Sequence, residues 1–456
     1  MEEKSEERMN REKRRRWPFF AGGVLCGALL SAGLFVWSTG FISIPFLGSF
    51  VLGRDPMAGV QRASASEAAR DGLNYGKINL KLRWIDTLLS REFYYEEDPQ
   101  AMEDGIFTGL MYGLSGQDPY AAYFSAEEFA EELIDTRGNY YGIGALISQD
   151  PETKVMTIAE VYADSPAKKA GLKEGDILKE VNQEDVTYME LSTVVDAYVK
   201  GPEGSYVNLT VDRSGEQVEL QIQRGKVEMP SVYASMLKDG DGRKTGYIYV
   251  STFEIATVGQ FQKAVNDLTA KGAEGLIIDL RDNPGGVMES ALSMLDYLIE
   301  DTDSRYGEKE AVKDGKGKAL LLYTEGKQGR NFTSYAEDGH AVELPMAVLI
   351  NEHSASASEI FAQVMKDYEK AEIVGVKSYG KGIVQTEEAL PDGSAVKYTS
   401  AQYFTPSDYA VHGVGVMPDV TVDPDEAFLA SGADAENPNP SVDNQLREAL
   451  TALYAE

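Results

Sequence analysis

The chain has 456 residues, a hydrophobic fraction of 43% and a single cysteine. That length predicts two to four domains, and the composition sets aside both intrinsic disorder and a disulfide scaffold. Net charge is −31, and residues 1–16 carry seven Lys/Arg against five Asp/Glu, so the remainder sums to −33. An acidic body of this kind repels phosphate backbones and argues against nucleic-acid binding.

No charge occurs between Trp17 and Arg54. Residues 17–38 would rise roughly 33 Å as a helix, enough for a hydrocarbon core of about 30 Å. The cluster Lys13-Arg14-Arg15-Arg16 before them keeps the N-terminus cytoplasmic. The expectation is a cytoplasmic basic tail (1–16), a single-pass transmembrane signal anchor (17–38), a linker (39–76) and an extracytoplasmic body at the cell membrane. A cleaved signal peptide is the rival, but its small-residue site should follow the apolar run closely. The nearest such triplet, Ala63-Ser64-Ala65, is distant. Cys26 lies in the apolar run, so the body is left without a thiol. The three histidines show no ligand spacing, and neither a metal nor a cofactor is expected.

Residues 77–137 carry helical periodicity, first through Leu80, Trp84, Ile85 and Leu88, then through Met102, Ile106 and Leu110. Asp118-Pro119-Tyr120 reads as a turn, and Ser125 with Glu128 as a capping box for a third helix. Residues 138–228 read as a compact unit of short strands with a helix over 189–199 and a hairpin turned at Ser214-Gly215. With Ser165-Pro166-Ala167, Gly171-Leu172 and Glu174-Gly175-Asp176, this stretch resembles a PDZ domain. Tyr141, Gly142, Ile143 and Gly144 are its candidate carboxylate loop, and the strand that follows offers an edge for β-addition. Residues 229–429 alternate strand and helix, with 301–340 expected as a long surface insertion around a strand at 319–323. Residues 430–456 supply a linker and a last amphipathic helix. The fold class is α/β, multidomain.

The apolar strand 344–350 runs into Asn351-Glu352-His353-Ser354-Ala355-Ser356-Ala357-Ser358-Glu359. A strand that breaks into a small-residue turn and opens a helix can expose a hydroxyl beside free backbone N–H groups. Ser356 with Glu359 also fits an ordinary capping box. The Ala357 N–H is one oxyanion donor candidate. Gly285 or Gly286, after another buried strand, supplies the second, with the choice between them open. Lys381, between two glycines, is the base candidate. At an ordinary pKa its amine is neutral only about once in 2,500 at pH 7, so burial must depress that value. Gln385 would orient the amine. In a straight strand the two residues stand about 13 Å apart, so contact demands a bend at Gly380 or Gly382. A phosphate loop at Gly375–Lys381 fails, because Gly382 stands where Ser/Thr must hold magnesium. His353 adjoins the serine run too closely to serve readily as its base, although its titration could alter the loop charge and slow acylation on acidification.

Taken together, Asp118-Pro119-Tyr120, the PDZ-like unit, Leu280-Arg281-Asp282-Asn283-Pro284-Gly285-Gly286, Ser354-Ala355-Ser356-Ala357-Ser358-Glu359, Lys381-x-x-x-Gln385 and Gly413-Val414-Gly415-Val416-Met417-Pro418-Asp419 resemble the carboxy-terminal processing peptidases, the serine peptidases that include tail-specific and D1-processing proteases. The resemblance implies a crotonase- or ClpP-like core with an inserted PDZ domain that binds apolar C-terminal tails. By the family pattern Ser356 is the nucleophile, Lys381 the general base and then acid, and Gln385 its positioner. Polypeptides with apolar C-termini are the implied substrates, and a regulatory protein that holds the PDZ gate is a further partner; the helices at both ends of the body point to a homo-oligomer. His353 departs from the pattern, standing where a glycine is frequent. The competing reading is a non-catalytic PDZ adaptor on a peptidase-like scaffold.

Overall fold

A computed structural model describes residues 41–44, 48–51, 72–238, 242–303, 305–306, 318–431 and 435–455. The expected membrane anchor at 17–38 lies outside them. Among the described residues no helix is long and apolar enough to cross a membrane. Contacts divide the chain into residues 1–97 and 98–456. The first unit contains the helix Tyr75–Glu92, N-capped by the Asn74 side chain and burying none of its residues. Its apolar positions Leu80 and Trp84 are 73% and 76% exposed, so the periodicity does not serve a core within that unit.

The second unit is built on a six-stranded sheet in the order Val232–Lys238, Lys244–Val250, Gly275–Asp279, Met346–Ile350, Ala371–Gly375, Val420–Thr421. Only the first pairing is antiparallel. Every residue of Gly275–Asp279 and Met346–Ile350 is buried, as parallel strands covered on both faces require. Alternation decides which side each residue serves. On one face, Leu276, Ile278, Val348 and Ile350 pack with the helices Ile255–Ala270, Met288–Leu298 and Ala357–Asp367. On the other, Ile277, Ala347 and Leu349 pack with Leu446, Ala449 and Leu453 of the C-terminal helix Asn444–Leu453.

A second sheet runs Gly329–Tyr335, Leu320–Gly326, Ala395–Phe404, Ile383–Ala389, with the short strand Ala122–Phe124 joined to Ala395–Phe404. This corrects the expected surface insertion: much of 318–340 is a hairpin of this sheet, and Leu320, Leu321 and Leu322 are buried. Polar residues of the outer strand Gly329–Tyr335 masked it in the sequence.

The PDZ-like unit has the sheet order Glu216–Gln223, Tyr206–Arg213, Ile177–Val181, Met156–Val161, Ala145–Gln149. Ser214 and Gly215 turn its hairpin with φ of 56° and 90°, a geometry that twists with the strands. The helix expected over 189–199 is an α-turn, Leu191–Val194, running into a π-turn, Val195–Val199. The unit joins the core through one antiparallel ribbon, Asn139–Gly142 against Gly225–Glu228. Both chain crossings therefore lie side by side, as an inserted domain requires.

Candidate active site

Three alternating serines take two different roles. Ser354 and Ser358 are fully buried. The Ser354 hydroxyl donates to Leu280 O at 2.8 Å and accepts the Asn351 N–H at 2.9 Å. The Ser358 hydroxyl donates to Asn283 O at 2.9 Å, and the Ala355 N–H reaches that same carbonyl. These bonds tie the turn after Met346–Ile350 to the turn after Gly275–Asp279. Ser356 between them is partly exposed and lines a cavity of about 520 Å³ together with Lys381, Gln385, Gly286 and Tyr403. Its backbone lies at φ 55°, ψ −113°, which costs a non-glycine residue about 1–3 kcal/mol and is held only by surrounding bonds.

Glu359 supplies the most connected of these bonds. Its carboxylate is fully buried. It accepts the Ser356 N–H at 2.9 Å, completing the predicted capping box, and the Lys381 N–H at 2.8 Å. It also accepts the Gly380 N–H at 2.6 Å and the Ser378 hydroxyl at 2.5 Å. One side chain thus staples the serine loop to the lysine loop. The sequence shows it only as the third position of a capping box.

Opposite Ser356 lies the turn Asp282–Gly286. Gly285 has φ 103°, and a methyl group there would stand 2.6 Å from Ala355 O and 2.8 Å from Ser356 Cβ. Gly286 has φ 132°, and its methyl would meet Phe253 O at 2.2 Å. Only glycine allows this approach. The Gly285 N–H donates to Asn283 Oδ1 at 2.8 Å. Its carbonyl accepts from Phe253 N, and Val287 N donates to Phe253 O. The Gly286 N–H makes none of these bonds. Behind the turn, the buried Arg281 is clamped between Asp279 and Asp443, with Gln445 as a further acceptor. Asp279 also accepts from Tyr247 at 2.7 Å. The C-terminal helix therefore braces the turn from below.

Lys381 Nζ donates to Gln385 Oε1 at 2.9 Å. The bend that the sequence demands comes from Gly380 at φ 97° and from a β-bulge between Val384 and Gln385. Gly382 contributes a close pass instead, since a methyl there would stand 2.2 Å from His412 N. Burial pulls the Lys381 amine below its ordinary pKa, the charge on Lys397 adds to that pull, and Asp118 opposes it. Burial also works against charge on Lys397, but its ion pairs with Glu132 and Glu387, each at 2.7 Å, outweigh burial and raise its pKa. Tyr403 donates to Lys381 O at 3.0 Å and lies across Ser356 O at 3.2 Å.

His353 is exposed and its Nδ1 meets Asp282 Oδ1 at 2.8 Å. That hydrogen bond raises the imidazole pKa. Protonation therefore strengthens a link between the two turns. In the PDZ-like unit, Tyr141 and Gly142 belong to the connecting ribbon, Ile143 is buried, and Gly144 turns at φ 78° into Ala145–Gln149, the edge strand of its sheet. Three carboxylates, Asp296, Asp301 and Asp338, have oxygens within 4.8 Å of one another, and Asp296 and Asp301 accept backbone N–H groups of 337–339.

A strand-to-helix serine, a half-buried lysine and a glycine turn around one cavity define a serine-type peptidase, and comparison agrees. The chain belongs to peptidase family S41: residues 244–422 match that family and residues 157–213 match the PDZ domain. It is 32% identical over 356 residues to a "Probable CtpA-like serine protease" of Staphylococcus epidermidis, covering 77% of this chain and 67% of the relative. A protein of the same description from Staphylococcus aureus is 32% identical over 344 residues, covering 75% of this chain and 64% of the relative. A solved "Photosystem II D1 C-terminal processing protease" is 27% identical with a TM-score of 0.42, covering 77% of this chain and 92% of that one.

Proposed function

We propose that the chain is a membrane-anchored endopeptidase that uses a Ser356/Lys381 dyad to cleave exported polypeptides at or near their C-termini. The observation that carries this reading is the shared cavity: Ser356 and Lys381 line it together, while the neighbouring hydroxyls of Ser354 and Ser358 are committed to buried carbonyls. The neutral Lys381 amine gives one hydrogen to Gln385 Oε1, which leaves its lone pair for the Ser356 hydroxyl proton. The serine oxygen attacks the scissile carbonyl, and the resulting oxyanion is met by the N–H groups of Ala357 and Gly286. Gly286 is preferred over Gly285 because Asn283 already holds the Gly285 N–H. The ammonium then protonates the leaving amine, and water repeats the sequence on the acyl-enzyme.

The PDZ domain recruits apolar C-terminal tails, with the carboxylate at Tyr141–Gly144 and the tail added along Ala145–Gln149. Its ribbon connection to the core suits gating of the site. The core is crotonase- or ClpP-like. The apolar run at 17–38 anchors the chain with the body outside, and exposed apolar residues on Tyr75–Glu92 and Pro99–Tyr112 support a homo-oligomer. A regulatory protein acts on the PDZ gate. The test is to incubate the full chain with an unstructured protein ending in apolar residues and sequence the fragments. Cleavage inward of the tail, abolished in Ser356→Ala, supports the reading. Equal cleavage by that variant rejects it, and tail binding without turnover favours the adaptor.

A further inference from the structure

The segment Asp118-Pro119-Tyr120 touches the base at two points. Lys381 Nζ stands 4.3 Å from the centroid of the Tyr120 ring. The Tyr120 carbonyl accepts from Gln385 Nε2 at 3.3 Å, which directs the amide's oxygen toward Nζ. The segment is fixed in turn. Asp118 Oδ1 accepts the Tyr120 N–H at 3.2 Å, and Oδ2 accepts the Thr399 N–H at 2.7 Å. Two residues on, Ala122–Phe124 adds to the strand that carries Lys397 and Tyr403. A turn 265 residues upstream of Gln385 thus completes the surroundings of the amine.

From this geometry, and resting on the dyad reading above, we infer that Tyr120 is a positioning residue whose ring face stabilises the Lys381 ammonium formed when Ser356 gives up its proton. The chemistry requires such a device. Burial and the Lys397 charge pull the amine toward its neutral, proton-accepting form, but they equally disfavour the ammonium that must persist until the leaving amine is protonated. An aromatic face offers a desolvated cation its negative quadrupole without competing for the proton. A carboxylate in the same place would pair with Lys381 permanently and remove the base. The charged and titratable groups about Nζ are Asp118, Lys397 with its partners Glu132 and Glu387, Glu359 at the Lys381 backbone, and the phenols of Tyr120, Tyr379 and Tyr403.

The test replaces Tyr120 in the full chain by phenylalanine and by its mono-, di- and trifluoro derivatives, which hold the shape while draining the ring face of electron density. The pH dependence of kcat/KM is measured for each, with Lys381 reactivity toward acetic anhydride followed by mass spectrometry in a Ser356→Ala background. The acid limb and the labelling pKa should fall together along the series by about one unit in total, with KM unchanged. A labelling pKa that does not change with fluorination overturns the inference, whether or not the variants remain active. Lys381→Met separates the two readings. Activity that survives it defeats the dyad. Activity that disappears, alongside a flat fluorine series, defeats only the role given to the ring.

Discussion

The serine and lysine sides of the cleft are assembled on different plans. The serine side draws on two short segments, 280–286 and 351–359, each following a fully buried strand and joined by buried hydroxyl–carbonyl bonds. The lysine side is composite. Lys381 and Gln385 come from one strand and the loop before it, Lys397 and Tyr403 from the neighbouring strand, and Asp118 and Tyr120 from a turn far upstream. Bonds that shape the serine also hold the core together, so its geometry cannot be lost without stability. Lys381 can lose its surroundings while the fold persists.

The largest effect separates chemistry from folding altogether. Lys381→Met should lower kcat by about 10⁴-fold while leaving the urea midpoint unchanged or slightly raised, because a half-buried amine gives way to an apolar group of similar length. A large fall in the midpoint would place Lys381 in the structural framework instead.

Glu359→Gln probes the staple between the two sides. Four donors converge on this buried carboxylate, and an amide replaces acceptor capacity with hydrogens. Stability should drop by about 2–4 kcal/mol in urea denaturation, with kcat/KM reduced at least about 100-fold as Ser356 and Lys381 part. Activity lost at full stability would show that the serine side does not depend on the staple for its fold. Asp118→Ala should do the reverse: kcat/KM reduced about tenfold or more, with a stability cost of no more than about 1–2 kcal/mol for two partly exposed backbone bonds. Equal losses from the two substitutions would erase the contrast.

The same contrast explains what could be read from the chain. Strand-to-helix turns are local, so the serine run, the glycine pair and the helix opened after Ser356, Ala357–Asp367, are visible as patterns of apolar and small residues. Lys381 and Gln385 are visible as a pair, and their separation demands a bend, but the bulge at Val384/Gln385 leaves no mark in composition. Tyr120 reads as a turn residue within a family motif and carries no role there, because nothing local links it to a strand 265 positions later. Ser354 and Ser358 resemble Ser356 in sequence. Their burial against Leu280 and Asn283 exists only once two strands lie side by side.

The smallest expected effect concerns the surface link between the two serine-side turns. His353 is raised above its ordinary 6.5 by its bond to Asp282. Its stabilising contribution is therefore complete below 6.5 and lost as pH rises through the raised value. Burial tends to raise Asp282, but its bonds to His353 and Asn351 outweigh this and lower it. Its contribution is then present above 3.8 and lost as pH falls through the lowered value. The link is thus complete across mildly acidic pH. Both groups are about two-thirds exposed, which limits the pair to less than about 1 kcal/mol. Wild type should exceed His353→Gly in stability by slightly more at about pH 5.5 than at about pH 8.5, and single-turnover acylation should not slow on acidification through this residue. A difference that grows with pH, or a slowing at low pH that vanishes in His353→Gly, would mean that the imidazole charge loosens the turn it bridges.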